Sequence, residues 1–286
     1  MATMSPLRRR MIEDMTIRNL SPETQQSYLR AVAKFSRHFG QSPDRLGVAD
    51  VRAYQVYLTS QSIAWSSLNQ TVCALRFFYG VTLGRSEMPE LIAYAHAPRK
   101  LPVVLSGEEV VRFLEAVPGL KSRVALTTAY AAGLRLSEVV ALKVTDIDSQ
   151  RMVIRIERGK GGKERQAMLS EQLLQILRAY WRLARPRRWL FPGRNPEHPI
   201  SRKMLAFACQ LASEVAGLSK HVTVHTLRHS FATHLLESGT DIRIIQVLLG
   251  HNHVSTTALY TQVAASTIRK ATSPLDRLDV KVIPSL

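Results

Sequence analysis

The stretch "HTLRHSFATHLL", from His225 to Leu236, carries many basic groups for so apolar a segment. His225 and Arg228 are three residues apart, so in a helix they share one face. A helix that only filled a core would carry few such groups, because basic side chains are seldom buried without partners. The stretch therefore predicts either a metal site or a place where a negatively charged group is held.

A metal site is the first alternative, because His225 and His229 have the i, i+4 spacing that can bind zinc. Against it, Thr226 stands where the zinc-protease pattern has glutamate, and no carboxylate follows at ligand spacing. Arg228, between the two histidines, would also repel a cation. We expect no metal here and interpret His229 and His234 as packing residues of the helix.

An anion site is the second alternative, and other basic residues in the second half of the chain support it. The planar fork of an arginine suits phosphate oxygens. Arg135 stands between a predicted helix end at Gly133 and a predicted helix start at Ser137, so backbone on both sides would hold it. Lys160, between glycines in "RGKGGKER", could reach out and donate a proton.

Two further candidates follow the histidine-rich helix. "DIRIIQVLLG" predicts a helix closed by Gly250, with His251 directly after it. Ser255 could cap a short third helix that displays Tyr260. Histidine can move protons near neutral pH, and a tyrosine becomes a nucleophile only when its neighbours manage its proton. These positions at element ends allow the side chains to converge.

The net charge of +17 over 286 residues indicates a polyanionic partner. Nucleic acid is the leading candidate, and an anionic membrane surface is the rival. The sequence has no apolar run of about 18 residues and no apolar segment behind its basic N-terminus, so we predict neither a membrane span nor a secretory signal. We expect a cytoplasmic protein whose two cysteines, Cys73 and Cys209, stay reduced.

The first ninety or so residues predict helices alone. Ser21 is a candidate N-cap, Pro22 the first helical residue and Gly40 the stop of one helix. Two more helices are predicted around 51–61 and 66–79. A proline-containing basic segment, 97–104, then resembles a linker. Residues 1–97 carry 11 basic and 7 acidic side chains, and residues 98–286 carry 28 and 15, so both parts are basic.

The second part predicts helices around one β-hairpin. Ser106 and Glu109 form a capping box before an apolar run. A weak alternation sets Met152, Ile154 and Ile156 on one face against Val153, Arg155 and Glu157 on the other. With the "GKGG" turn that follows, it predicts a hairpin as the only clear β element. We therefore predict a mainly α protein with a small antiparallel β-sheet in its second domain. The predicted boundaries are 1–97 for a helical domain, 98–104 for a linker, 105–273 for a second domain and 274–286 for a tail.

The motifs occur together in an order that resembles the tyrosine recombinase, or phage-type integrase, family. The matching pieces are "AAGLRLSEVVAL", "RGKGGKER", "HTLRHSFATHLLESG" and "LLGHNHVSTTALYTQV", within 101–271. The style of the last piece is similar to Xer-type recombinases and mobile-element integrases. The resemblance implies that 105–273 is the catalytic domain. The first part resembles, by pattern only, the core-binding domain of the family.

The resemblance also implies a role for each candidate residue. Arg135 and Arg228 resemble the two arginines that hold the non-bridging oxygens of the scissile phosphate. Tyr260 resembles the nucleophile that forms a 3′-phosphotyrosine link to DNA.

Three further positions complete the set implied by the resemblance. Lys160 resembles the general acid that protonates the departing 5′ oxygen. His225 resembles the acid/base residue near the tyrosine, and His251 resembles the supporting second histidine. A peripheral departure is Gln262, which stands where many members have histidine.

By this resemblance the chain is expected to be a site-specific DNA recombinase or integrase that needs neither metal nor ATP, and no "GxxxxGK[ST]" pattern occurs. Its expected partner is a double-stranded DNA recombination site, bound as a homo- or hetero-tetramer in the bacterial cytoplasm, on the nucleoid. Two basic domains joined by a basic linker predict a clamp around the duplex. Two alternatives stay open: a DNA-binding protein of the same fold that has lost catalysis, and a metal-dependent nuclease that uses the histidine cluster.

Overall fold

The computed structural model describes most of the chain and divides it into two compact units, 1–99 and 100–286. The described residues are 4–96, 101–157, 164–251 and 254–262. The predicted domain boundaries stay predictions, because residues 97–100 and 263–286 lie outside this part of the chain. Among the described residues, no helix is both long and apolar enough to cross a membrane.

The first unit is built from helices. Their bounds are α1 Pro6–Ile17, α2 Pro22–Phe39, α3 Val48–Ser60, α4 Trp65–Phe77, a π-helical turn Phe78–Thr82 and α5 Met88–Leu91. The predicted ends of α2 are confirmed: the Ser21 side chain accepts a hydrogen bond from the Thr24 amide at 3.2 Å, and Gly40 ends the helix at φ +65°. Glycine suits this position because a side chain disfavours the left-handed region.

A hydrophobic core joins the helices of the first unit. Phe35 of α2 and Tyr54 of α3 pack edge to face with ring centroids 5.2 Å apart, and both are buried. Val72 and Leu75 of α4 are buried in the same core, and α4 packs against α2. Each such side chain contributes about 1.5–3 kcal/mol when fully buried, which favours the packed arrangement of these helices.

The second unit is also mainly helical. Its described helices are α6 Gly107–Ala116, α7 Leu120–Ala131, α8 Leu136–Val140, α9 Glu171–Ala184, α10 Arg202–Val215, α11 Val224–Glu237, α12 Ile242–Leu249 and α13 Val254–Thr257, and a 3-10 turn Ala258–Gln262 follows α13. The predicted capping box of α6 is present, since the Glu109 amide donates to Ser106 Oγ at 3.2 Å and the Ser106 amide donates to Glu109 Oε2 at 2.7 Å.

The sheet of the second unit has three antiparallel strands in the order β1–β2–β3. They span Ile147–Asp148, Val153–Ile156 and Arg165–Met168. The predicted hairpin is β2–β3, with Ile154 opposite Ala167, and Ile154 and Ile156 are buried as expected. The prediction of a mainly α fold with a small antiparallel sheet is confirmed. The expectation of a single hairpin was wrong, because β1 has two residues and is too short to leave an alternating pattern.

Helix α7 lies at the centre of the second unit, in contact with α6, α8, α9, α10 and α11. Its buried residues Val124, Ala125, Leu126 and Ala129 explain why it shows no clear polar face. This central position brings its C-terminal end against α11. The end of α7 and the middle of α11 therefore meet in the interior, where the candidate residues lie.

Three predicted local details were wrong. Helix α8 begins at Leu136 rather than Ser137, and Arg135 itself occupies the N-cap. Ser255 lies inside α13, which begins at Val254, so it does not precede that helix as a cap. Tyr260 lies in the 3-10 turn that follows α13 and is only 2% exposed, so it is buried rather than displayed.

Candidate active site

Arg228 occupies the centre of the site, on α11, and is 1% exposed. Its Nη1 donates to the Gly133 carbonyl at 2.6 Å, and its Nη2 donates to the Leu249 carbonyl at 2.5 Å. These carbonyls lie at the ends of α7 and α12, where helix dipoles are negative and favour a cation. Burial, with the charge of Arg135 nearby, lowers the pKa of Arg228 to about 10, so the guanidinium stays charged at neutral pH.

A glycine makes the contact between α7 and α11 possible. Gly133 has φ +59°, and a Cβ on it would lie 2.4 Å from Cδ1 of Phe231. A side chain at this position would meet both the steric penalty of the left-handed region and a clash with the ring. Gly133 therefore allows its own carbonyl to reach Arg228 on the neighbouring helix.

Arg135 lies beside Arg228, at the start of α8. Its backbone amide donates to Glu138 Oε2 at 2.8 Å, and its Nη1 donates to Glu138 Oε1 at 2.7 Å. Its Nη2 lies 3.4 Å from the Gly250 carbonyl. The side chain is 21% exposed, so part of the guanidinium faces solvent. Arg135 can therefore reach a ligand without breaking its existing contacts.

Glu138 is the buried carboxylate that joins the arginines, and its side chain is 2% exposed. Besides Arg135, it accepts from Arg165 Nη2 at 2.7 Å and lies 3.9 Å from Arg228 Nη1. Burial alone would raise the pKa of Glu138, but the charge of Arg165 and hydrogen bonds from Arg135 and Arg165 outweigh it and hold this pKa below its usual range. Three guanidiniums around one carboxylate leave a net positive site that favours an anion.

Tyr260 packs against two histidines. Its hydroxyl lies 3.2 Å from Nδ1 of His229, and its ring stacks on His251 with centroids 6.4 Å apart and planes 14° from parallel. Burial raises the pKa of Tyr260, although the charges of Arg228 and Arg135 act in the opposite direction. At neutral pH the side chain is therefore a neutral phenol, and it needs a proton acceptor before it can act as a nucleophile.

His251 links Arg228 to the segment that carries Tyr260. Its Nε2 lies 3.2 Å from Arg228 Nη2, and its Nδ1 lies 3.0 Å from Oγ1 of the buried Thr257. Burial and the charges of Arg228 and Arg135 lower the pKa of His251 to about 4, so the ring is neutral at pH 7. Because arginine can only donate, Nε2 must accept, and the ring proton is on Nδ1 and donated to Thr257.

His225 and His229 lie on one face of α11 with ring centroids 4.4 Å apart. His225 is exposed, yet surrounding protein atoms remove enough water from its ring to lower its pKa, and the charges of Arg228 and Arg135 add to this effect. Burial lowers the pKa of His229 to about 4, with further contributions from His225 and Arg228. Both rings are therefore predominantly neutral at pH 7.

The two histidines interpreted as packing residues, His229 and His234, have different hydrogen-bond partners in the structure. His234 is structural: it hydrogen-bonds the Tyr130 hydroxyl at 2.8 Å and the Leu105 carbonyl at 2.9 Å. His229 also packs inside the unit, and its Nδ1 lies 3.2 Å from the Tyr260 hydroxyl, a contact that the packing interpretation did not include. No local pattern indicates this contact, since it joins residues 31 positions apart.

Of the six candidate residues, five lie in the described part of the chain and come together around Arg228. They are Arg135, His225, Arg228, His251 and Tyr260. Lys160 lies outside the described residues. Two site residues were missed: Glu138, which the three-residue spacing from Arg135 could have suggested, and Arg165, for which no local signal exists. Within the described ranges, no group of three or more His, Cys, Asp or Glu residues is placed to hold a metal ion.

The fold and this cluster define a class of protein. A helical unit, followed by a unit in which two arginines and a histidine lie beside a buried tyrosine, is the arrangement expected of tyrosine recombinases. Residues 103–267 match the model of the phage integrase family, and residues 7–87 match its N-terminal SAM-like domain. The chain therefore belongs to the phage integrase family of tyrosine recombinases, and the resemblance inferred from the four motifs is confirmed.

Similar proteins and structures agree with this assignment. A putative integrase/recombinase of Sinorhizobium fredii, y4qK, is 53% identical over 96% of this chain and 90% of its own length. The tyrosine recombinase XerA of Thermococcus onnurineus is 35% identical over 88% of both chains. A crystal structure of XerA recombinase aligns over 92% of this chain and 95% of its own, with 29% identity and a TM-score of 0.54. A XerH recombinase bound to its palindromic difH substrate shares the fold, with a TM-score of 0.73, 22% identity and coverage of 91% and 82%.

Proposed function

We propose that this protein is a site-specific recombinase that cuts and rejoins double-stranded DNA through a 3′-phosphotyrosine intermediate on Tyr260. One observation carries the proposal: a buried tyrosine lies against His251, which in turn contacts the buried Arg228. A phenol enclosed by two neutral histidines and the charge of two arginines is placed for chemistry on an anion rather than for packing alone.

In this mechanism Arg135 and Arg228 bind the non-bridging oxygens of the scissile phosphate. Attack on phosphorus builds negative charge on these oxygens, and fixed donors in a low-dielectric site stabilise that charge strongly. The backbone carbonyls and Glu138 already hold both guanidiniums in place. The phosphate therefore meets donors that need little rearrangement, so the proposed reaction requires no metal ion. It requires no ATP either, because the phosphotyrosine link keeps the energy of the broken bond.

The covalent step exchanges one bond to phosphorus for another. The Tyr260 oxygen forms a bond to phosphorus, the bond from phosphorus to the 5′ oxygen breaks, and the phenolic proton passes to a neighbouring base. His225 is the acid/base residue and Lys160 the acid that protonates the 5′ oxygen, as the family resemblance implies. A free 5′ hydroxyl then attacks the phosphotyrosine and restores a DNA bond, so the energy of the broken bond is conserved.

The wider function follows the same proposal. Domains 1–97 and 105–273 both contact the recombination site, since both parts of the chain carry net positive charge. Phosphate contacts dominate such binding, so affinity falls steeply with salt. We propose further that the protein works as a homo- or hetero-tetramer on DNA, in the cytoplasm and on the nucleoid. We propose that residues 274–286 are a C-terminal tail that is not part of the catalytic domain.

The test begins by finding the target site. The protein is expressed in its host, covalent complexes are trapped by denaturation, and the attached DNA is sequenced. A synthetic duplex of that site is then nicked next to the cleavage position, so that the short 5′ fragment diffuses away and the adduct accumulates. Wild-type protein is expected to give the adduct, and Tyr260→Phe is expected to give none while still binding the duplex. Failure of the wild-type protein to form an adduct on its own site would overturn the proposal.

A further inference from the structure

The C-terminal end of α12 is surrounded by arginines. Its last two residues and the glycine that follows present three successive carbonyl groups, and each accepts a hydrogen bond from a different arginine. The pairs are Leu248 with Arg165, Leu249 with Arg228 at 2.5 Å, and Gly250 with Arg135 at 3.4 Å. A helix C-terminus is the negative end of its dipole, so it favours cations at this place. Two of the three arginines are the proposed phosphate-binding pair, and the third has no assigned role.

Arg165 ties this helix end to the carboxylate of the site. It extends from β3 and its side chain is only 9% exposed. One terminal nitrogen, Nη1, donates to the Leu248 carbonyl, and the other, Nη2, donates to Glu138 Oε2 at 2.7 Å. Arg165 therefore bridges the carboxylate of Glu138 and the end of α12, and it is placed to hold these two groups together.

Gly250 provides the space that Arg165 occupies. It has φ +62°, and a Cβ on it would lie 2.6 Å from Cδ of Arg165. The stem of Arg165 thus passes directly over the residue that ends α12 and precedes His251. A shift of this stem would move the Gly250 carbonyl, which Arg135 contacts, together with the histidine that stacks on Tyr260.

From these contacts we infer that Arg165 is a positioning residue: it fixes Glu138 and the end of α12, and through them the two guanidiniums that bind the phosphate. The inference rests on the proposed recombinase function. Without Arg165, Glu138 loses one of its cationic partners and is free to pair more closely with Arg135 or Arg228. Either guanidinium would then be drawn away from the phosphate, and the α12 end would lose a tether.

Three variants test this role, with binding and cleavage measured separately. Arg165→Met keeps the length of the stem but removes the donors. Arg165→Lys keeps the charge but cannot bridge two acceptors, because its ammonium is a point donor rather than a fork. Arg182→Met removes one positive charge from an exposed residue of α9 and serves as the charge-matched control.

The readouts are the single-turnover rate of adduct formation at saturating DNA, the final adduct yield, and the Kd for the duplex. Displacement of reacting groups by about 1 Å can cost about a hundredfold in rate. We therefore expect Arg165→Met to slow adduct formation by about tenfold to a hundredfold, with the final yield and Kd within about twofold of wild type. The rate of adduct formation by Arg165→Lys should stay well below the wild-type rate, and the rate of Arg182→Met should equal the wild-type rate.

The outcomes separate this inference from the proposed function. If wild-type protein forms the adduct and Arg165→Met forms it as fast as Arg182→Met does, Arg165 is not a positioning residue. A lower final yield with an unchanged rate would mean that Arg165 serves only folding, and it would also overturn the inference. If Arg165→Met does not fold, Arg165→Lys decides alone: a slowed rate at full yield supports the role, and a wild-type rate refutes it. An inactive wild-type protein would instead refute the recombinase function.

Discussion

Substitution of Gly133 by alanine tests the packing that holds Arg228. A Cβ at this position would lie 2.4 Å from Cδ1 of Phe231 and 2.5 Å from its Cε1, on a backbone with φ +59°. The left-handed backbone costs an alanine about 1 kcal/mol, and overpacking in a filled core costs about 1–3 kcal/mol more. We therefore expect Gly133→Ala to destabilise the protein by about 2–4 kcal/mol.

Gly217→Ala is the matched control for this prediction. Gly217 has φ +62°, but a Cβ on it would meet nothing within 4 Å, so only the backbone cost of about 1 kcal/mol applies. In a domain of this size, 1 kcal/mol lowers Tm by about 2–4 °C. Gly217→Ala should therefore lose about 2–4 °C and Gly133→Ala about 4–16 °C, as measured by calorimetry.

Activity distinguishes the two variants further. The Gly133 carbonyl accepts from Arg228 Nη1 at 2.6 Å, so relief of the clash with Phe231 must move an acceptor of the central arginine. Adduct formation by Gly133→Ala, measured well below its Tm, should be at least about tenfold slower than that of Gly217→Ala. Equal melting temperatures or equal rates for the two variants would show that α7 and α11 do not pack as described.

Three further predictions concern the charge of the site. Arg135→Ala should slow adduct formation about 10²–10³-fold at saturating DNA, by analogy with loss of one oxyanion donor, and a loss of less than about threefold would contradict its role. Lowering the pH from about 6.5 to about 4 should destabilise the protein, because His229 and His251 have folded pKa values of about 4 and the unfolded chain binds more protons in this window. The Tm of the wild-type protein should therefore fall more between pH 7 and pH 5 than the Tm of His251→Asn does. An equal or smaller fall in the wild-type protein would contradict this. Duplex affinity should fall by orders of magnitude between about 50 and 200 mM salt, and a flat response in a fluorescence anisotropy titration would contradict binding through phosphates.

Local signals in the sequence predicted much of the fold. Helix α2 was identifiable because Ser21, Pro22 and Gly40 act through neighbouring backbone groups. The hairpin was identifiable because the buried Ile154 and Ile156 alternate with the less buried Val153 and Arg155. Strand β1 could not be predicted, since two residues carry no period and the strand exists only through its pairing with β2.

The candidate site shows the same limit. Arg135 and Arg228 could be chosen from their residue types and from motif order, but their partners could not. Arg165 meets Glu138 from 27 residues away and Leu248 from 83 residues away, and only the folded chain brings them together. The contact between His229 and Tyr260 was not predicted, because it depends on where the 3-10 turn Ala258–Gln262 packs. Long-range contacts of this kind leave no periodic signal in the sequence.

The most direct measurement of the central claim is the chemical identity of the trapped adduct. The complex formed on the nicked substrate is digested with protease and nuclease, and the modified peptide is sequenced by mass spectrometry. We predict a nucleotide 3′-phosphate esterified to the oxygen of Tyr260 and a free 5′ hydroxyl on the released strand. Attachment at another residue, or cleavage that leaves no protein bound to either end, would contradict the claim that this tyrosine is the nucleophile.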